Sequence, residues 1–378
     1  MRIPKALSIS LGMGILGSTL LHAGYEVFKG HLFGRVTTGA EADSNIYLNS
    51  HSTGDFIVTV VPEVDFKRDV ALVLIDMSAG LRVMRFIDQT ANNDANPFAS
   101  TRISWTSEAG KSGGQVLASA TQVAQANQDV NLRTVSDNYL LDGSFGHFPT
   151  EKFGYRFGSR YSDEDYSTPG LSDVQVIQAG LDVRHQYSPK LESFFGYNFR
   201  ESTTRHRRPD AVSIDSLDHQ VMLGLDGELL PKVKGRVAAG TVTRRFARTN
   251  RSETGLLLNS SVDWKWKENI AATFNALHDY DMSPGDQSIT RSSLALGARI
   301  QMKAKIVLSG EGRYSHDNYN GGALPRVDRT YSLDARCVCS FTPRIQGRAY
   351  VSYRTIDSTS AFSTYNQVIA GVSVGVKL

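Results

Sequence analysis

This 378-residue chain has nine histidines and two cysteines, the side chains best suited to metal or nucleophilic chemistry, and their spacing supports neither use. His147, His185, His219 and His278 form no His-Glu-x-x-His motif and no Cys/His zinc spacing. Cys337 and Cys339 stand two residues apart. In an extended strand they share a face at about 7 Å, outside disulfide geometry, so they read as packed thiols. Gly110-Lys111-Ser112 ends like a phosphate loop, but Trp105 occupies the position that needs the first glycine. No Ser–His pair stands out as a hydrolase centre. The expectation is a protein that is not an enzyme and holds no cofactor or metal.

The chemistry that remains is electrostatic. Asp182 and Arg184, Asp226 and Glu228, Glu311 and Arg313, and Asp334 and Arg336 are each spaced by two, which in a strand puts both members on one face. Arg200, Arg236, Asp263, Arg299 and Arg348 fall on the equivalent face of their own segments, where Gly180, Gly196, Gly224 and Gly297 leave room. Such a face can line an aqueous path and set its selectivity through the local field. The plainer reading of any one group is a cross-strand ion pair that merely keeps the path polar. Their near-balanced signs predict no strong preference for anions or cations.

Two basic runs lie apart from this face. One is Arg205-His206-Arg207-Arg208; the other spans Arg244 to Arg251 and carries Arg244, Arg245, Arg248 and Arg251. Read as loops, both suit phosphate-rich lipopolysaccharide, because guanidinium groups contact phosphate in bidentate fashion. Capture of an acidic polymer leaving a pore is the sharper alternative. Asp163-Glu164-Asp165 lacks calcium-loop spacing and reads as a solvated acidic loop.

The elements that must position these groups are strands. Val368, Ala370, Val372, Val374, Val376 and Leu378 occupy one face of the last segment, with Gly371, Ser373, Gly375 and Lys377 on the other. Period-two alternation marks a strand between an apolar and a polar environment. The same pattern recurs, as in Ile177, Leu181 and Val183, or Tyr331, Leu333 and Ala335. Short turns such as Lys67-Arg68-Asp69, Pro231-Lys232 and Thr342-Pro343-Arg344 alternate with longer polar stretches such as Asp163–Asp173, Glu201–Ser216, Arg244–Thr254 and His316–Arg329. Short turns at one rim and long loops at the other describe an all-β, transmembrane, antiparallel up-and-down β-barrel. The rhythm predicts about 18 strands of about ten residues, with 16 the alternative because residues 70–146 alternate poorly. A soluble sandwich would use shorter strands and would not end inside one.

Residues 1–23 have the layout of a secretory signal peptide: Arg2 and Lys5, then an apolar stretch, then Leu21-His22-Ala23. Residues 24–378 would form the barrel in a bacterial outer membrane, both termini on the periplasmic side. Removing Arg2 and Lys5 takes the 41 basic residues to 39 against 38 acidic, so nucleic acid is not an expected partner.

Asp43-Ser44-Asn45-Ile46-Tyr47 follows the first strand candidate, and Gly54-Asp55-Phe56-Ile57 opens a second that runs through Pro62-Glu63-Val64. This wording resembles an outer-membrane β-barrel porin family associated with bacterial exopolysaccharide export loci. Leu378 and Ser373 stand where the commonest C-terminal assembly signal has an aromatic residue and a glycine. The resemblance implies a conduit for secreted polysaccharide, working with a periplasmic export protein. A general diffusion porin for small solutes and a structural or adhesive surface barrel are the competing expectations.

Overall fold

Alternation builds the wall. Val368, Val372 and Val374 are exposed on one face of the last strand, while Gln367 on the other is buried. The computed structural model describes residues 25–27, 29–108, 110–205, 214–249, 251–321 and 325–378. The expected signal segment, residues 1–23, lies outside them.

In chain order the strands are β1 (Tyr25–Val27), β2 (Gly30–Asp43), β3 (Asp55–Val70), β4 (Val73–Phe86), β5 (Asp94–Thr106) and β6 (Ser112–Asn127). They continue as β7 (Leu132–His147), β8 (Phe153–Tyr166), β9 (Asp173–Ser188), β10 (Leu191–Arg205), β11 (Ser216–Leu230), β12 (Val233–Phe246) and β13 (Ser252–Lys267). The last are β14 (Ile270–Ser283), β15 (Gln287–Lys303), β16 (Ile306–Asn320), β17 (Arg326–Ser340), β18 (Ile345–Ser358) and β19 (Tyr365–Lys377). Each strand from β2 onward pairs antiparallel with the next, and β19 returns to β2 from Ile369↔Asp43 to Lys377↔Arg35. The result is a closed 18-stranded barrel, as the rhythm predicted. Closure leaves no unpaired edge. The short β1 covers Gly30–Leu32 of β2 beside the point where β19 stops, and the Leu378 N–H donates to the Gly34 carbonyl at 2.8 Å.

The rim that carries the chain ends, here the terminal rim, has tight turns such as Ala71-Leu72, Pro189-Lys190 and Pro231-Lys232. Ala71 and Lys232 take the positive φ, 50° and 67°, that two-residue hairpins favour. The first turn falls past the expected Lys67-Arg68-Asp69, which the structure keeps inside β3. Outside, Trp264, Trp266, Phe341 and Tyr187 are exposed near this rim, and Tyr331, Tyr353 and Tyr139 ring the wall farther out. About ten residues between Tyr331 and Phe341, at about 3.3 Å each and a tilt near 40°, give a band about 25 Å tall. Cys337 and Cys339 lie on this outer face as free thiols.

The 18 wall strands, β2 to β19, run 13 to 17 residues, longer than the ten expected. Hydrophobic alternation stops at the membrane boundary, but backbone pairing continues beyond it. Asp163, Glu164 and Asp165 therefore belong to β8, Arg205 to β10, and Arg244 and Arg245 to β12, instead of to loops. These polar extensions form a collar on the far side of the band.

Candidate functional site: the lumen and the hairpin that spans it

Inside the terminal half, neighbouring strands bring a cluster of charged side chains together around Phe194. Phe194 faces Arg184, Glu192 faces Asp226, and Asp226 faces Arg236. Arg184 is 1% exposed and donates to Glu192 at 2.6 Å and Asp226 at 3.2 Å. Arg236 approaches Asp182 at 3.6 Å and lies 4.0 Å above the Phe194 ring. A guanidinium this buried requires such partners, since an unpaired buried charge is costly. Asp263 sits opposite Lys234 on the same lumenal face.

Higher up, Arg200 holds Asp218 at 2.9 Å and Asp279 at 3.1 Å. Arg244 shares Asp218 at 2.8 Å and reaches Ser288 at 3.0 Å. Arg244 is 1% exposed, so it is a lumenal anchor and not part of an outer basic loop. The consecutive arginines concealed the alternation that turns Val242 and Arg244 inward and Arg245 outward. Arg205 bonds to Asp163 at 2.5 Å, while Arg251 binds Glu253 at 2.6 Å. Arg248 is exposed in the short link after β12. Arg207 and Arg208 lie outside the described residues.

About a third of the way round the terminal half, Arg313 pairs with Glu311 at 2.8 Å. Arg299, Arg336, Arg348 and Asp334 are exposed there. They share the face opposite Leu296, Leu333 and Val351, which is the lumenal one.

The wall is interrupted at one place. β6 pairs with β5 only as far as Thr121, and β7 with β8 only as far as Ser136, yet β6 and β7 remain paired to Asn127↔Leu132. The hairpin tip beyond those points has left the wall. Gln122, Ala124 and Ala126 line a cavity of about 290 Å³ with Leu48, Phe86 and Met84. Val123, Gln125 and Asn127 line another of about 510 Å³ with Tyr166, Arg200 and Arg291. Both faces of the tip therefore look into the lumen. Six residues past the last wall pairing reach about 20 Å.

The tip is fastened to the opposite wall, since β7 and β16 stand nine strands apart in a ring of 18. Asp129 accepts from Tyr319 Oη at 2.7 Å and from Arg291 at 3.4 Å. Arg326 donates to the carbonyls of Gln128 and Asp129 at 3.0 and 2.9 Å and to the Asn131 side chain at 3.2 Å. Asn131 in turn accepts from Ser363 at 2.5 Å and donates to the Leu48 carbonyl at 2.8 Å. Side chains that would stand in open water in a clear mouth are buried: Asn131 is 2% exposed and Ser363 2%. Burial pushes the Asp129 carboxyl above the ordinary carboxylate range, opposed by Arg291 and Tyr319.

The residues of the sequence resemblance build one jaw of this closure. Asp43 accepts from the Asn45 N–H at 2.8 Å and from Gln367 at 2.9 Å, which holds the loop that carries Ile46 and Leu48 inward. Asp55 accepts four backbone N–H groups, from Phe56, Ile87, Asp88 and Gln89. Burial raises the Asp55 pKa, but those donors outweigh it and leave the carboxyl below its ordinary value.

Asp129, Arg291, Tyr319 and Arg326 carried no signal in the sequence. The one clue was the poor alternation of residues 70–146, within which Gln122 to Asn127 offer no large apolar face for lipid on either side.

A closed antiparallel barrel with an apolar outer band and a charged lumen is an outer-membrane-type β-barrel. The chain belongs to the family described as Putative beta-barrel porin 2, which matches residues 23–378. OpdK of Pseudomonas aeruginosa, solved with vanillate, is 7% identical with a TM-score of 0.51, covering 92% of this chain and 99% of that one. OpdO of the same organism is 11% identical with a TM-score of 0.50, covering 93% and 98%. The siderophore receptor PirA of Pseudomonas aeruginosa is 8% identical with a TM-score of 0.47, covering 92% and 80%. At such identities the OpdK and OpdO likeness is one of fold. No curated protein matches the chain.

Proposed function

We propose that this barrel is a gated outer-membrane conduit for a polar solute, with the β6–β7 tip as its gate and secreted polysaccharide as its cargo. The observation that carries the reading is the tip itself, which crosses the lumen and is held on the far wall by Arg326 and Arg291. A hairpin fastened across the path must move before a large solute can pass. The choice of polysaccharide rests on the sequence resemblance, and the hydrogen-bonding lumen is compatible with it. In this reading the terminal rim faces the periplasm, where an export partner would dock, and the collar meets lipopolysaccharide.

Planar-bilayer recording tests the gate. Wild-type protein should pass little current, and deletion of residues 124–133 should produce a large steady conductance. A large steady conductance from the wild type would overturn the gate. Deletion of the gene should abolish surface polymer; intact polymer with impaired nutrient uptake would reject the cargo.

A further inference from the structure

Counting charges suggests a neutral lumen, but counting uncompensated charges does not. Around β9–β12, Arg184 and Arg236 are matched by Asp182, Glu192 and Asp226 within bonding or ion-pair distance. Six strands farther round the wall, on β15–β18, Glu311 is occupied by Arg313. Among the described residues no ion pair holds Arg299, Arg336 or Arg348.

Their placement is concentrated. Arg299 faces Ser309, Ser309 faces Arg336, and Arg336 faces Tyr350, so they form one row across four strands. Arg348 stands two residues from Tyr350 on β18, about 7 Å along the strand. Strands about 4.8 Å apart put Arg299 and Arg336 about 10 Å from each other. Arg299, Ser309, Arg336 and Tyr350 line a cavity of about 310 Å³ with Asp334 and Glu311. Set against Arg313, Glu311 is neutral, so two acids, Asp334 and the Glu41 that Tyr350 bonds, face three guanidinium groups and leave the row net positive. The Tyr350 hydroxyl donates to Glu41, which holds its ring beside the row.

We infer that this face of β15–β18 is a binding site for the anionic groups of a carboxylated saccharide. Guanidinium groups bind carboxylates with directed, charge-assisted hydrogen bonds, and free ones have no internal partner to surrender. The spacing suits successive acidic units better than one small ion. The site deepens the conduit reading and rests on it for the cargo's saccharide nature. It lies three to four residues from the turns of the terminal rim, so it is accessible while the gate is closed.

Binding can therefore be measured on the intact wild-type protein in detergent, independently of current. Titration calorimetry with tetragalacturonate should show binding that weakens about tenfold or more in R299Q/R336Q/R348Q, and that falls as salt rises. Maltotetraose, the neutral control, should bind at least tenfold more weakly than tetragalacturonate. A variant that keeps the heat-modifiable gel shift of the wild type but loses uronate binding supports the site. Equal binding of the two sugars, unchanged binding by the folded variant, or no uronate binding by the wild type would overturn it. Failure of the gate deletion to conduct would count against the conduit and leave this result standing by itself.

Discussion

At the residue scale, single carboxylates hold the far mouth. Asp55 gathers four backbone donors at the start of β3 and after β4, sharing the Ile87 N–H with the Phe56 carbonyl. Asp55→Asn should cost roughly 1–3 kcal/mol locally. Hydrogen exchange of residues 87–93 should then quicken about tenfold or more, with the far wall unchanged. Because its folded-state value is depressed, the support it provides is present above the ordinary carboxylate value near 4 and is lost as pH falls through the lower, folded-state one. Asp129 has the opposite sign. Its carboxyl is raised by burial in the closed state, with Arg291, Tyr319, Asp281 and Arg326 around it. Protonation thus favours closure, fully below about pH 4 and progressively less as pH rises through the raised value. Opening events in a bilayer should be rarer at pH 5 than at pH 8, and the dependence should flatten in Asp129→Asn.

At the element scale, the β6–β7 hairpin has two parts with different environments. Its base is paired into the wall on both sides, whereas its tip borders lumenal cavities on both faces. Arg326 supplies three of the bonds that hold the tip. Arg326→Ala should raise the open fraction at least tenfold, measured as conductance, without changing barrel folding. The ordinary wall strands behave differently. Leu296 is 60% exposed on the lipid side of β15, and Ser293 is on the lumenal side. Leu296→Arg should cost about 2–4 kcal/mol near the bilayer midplane in reversible folding into lipid vesicles, and Ser293→Arg far less.

At the scale of the whole molecule, closure and polarity of the barrel follow from repetition. Eighteen strands pair in sequence, and β19 completes the cylinder on β2. The asymmetry that matters for transport lies in what fills the cylinder. One wall of the terminal half is internally neutralised, another presents free arginines, and the far mouth is barred.

The barrel, its strand count and the inward face of Arg184, Asp226 or Arg336 were legible in the amino-acid order, because they depend on local period-two alternation and on turns between neighbours. The weak alternation of residues 70–146 was also legible, but not that Gln122–Asn127 within it leaves the wall. Strand length was misread, since polar residues end the membrane band without ending the backbone ladder. What the tertiary structure alone decided is where the paired charges find their partners and where the hairpin tip goes. Arg326 and Asp129 are nearly two hundred residues apart, and Arg244 finds Asp218 and Ser288 on different strands. Alternation specifies a face but not a distance across the lumen, so the hairpin that spans it and the uncompensated arginines exist only once the ring has closed.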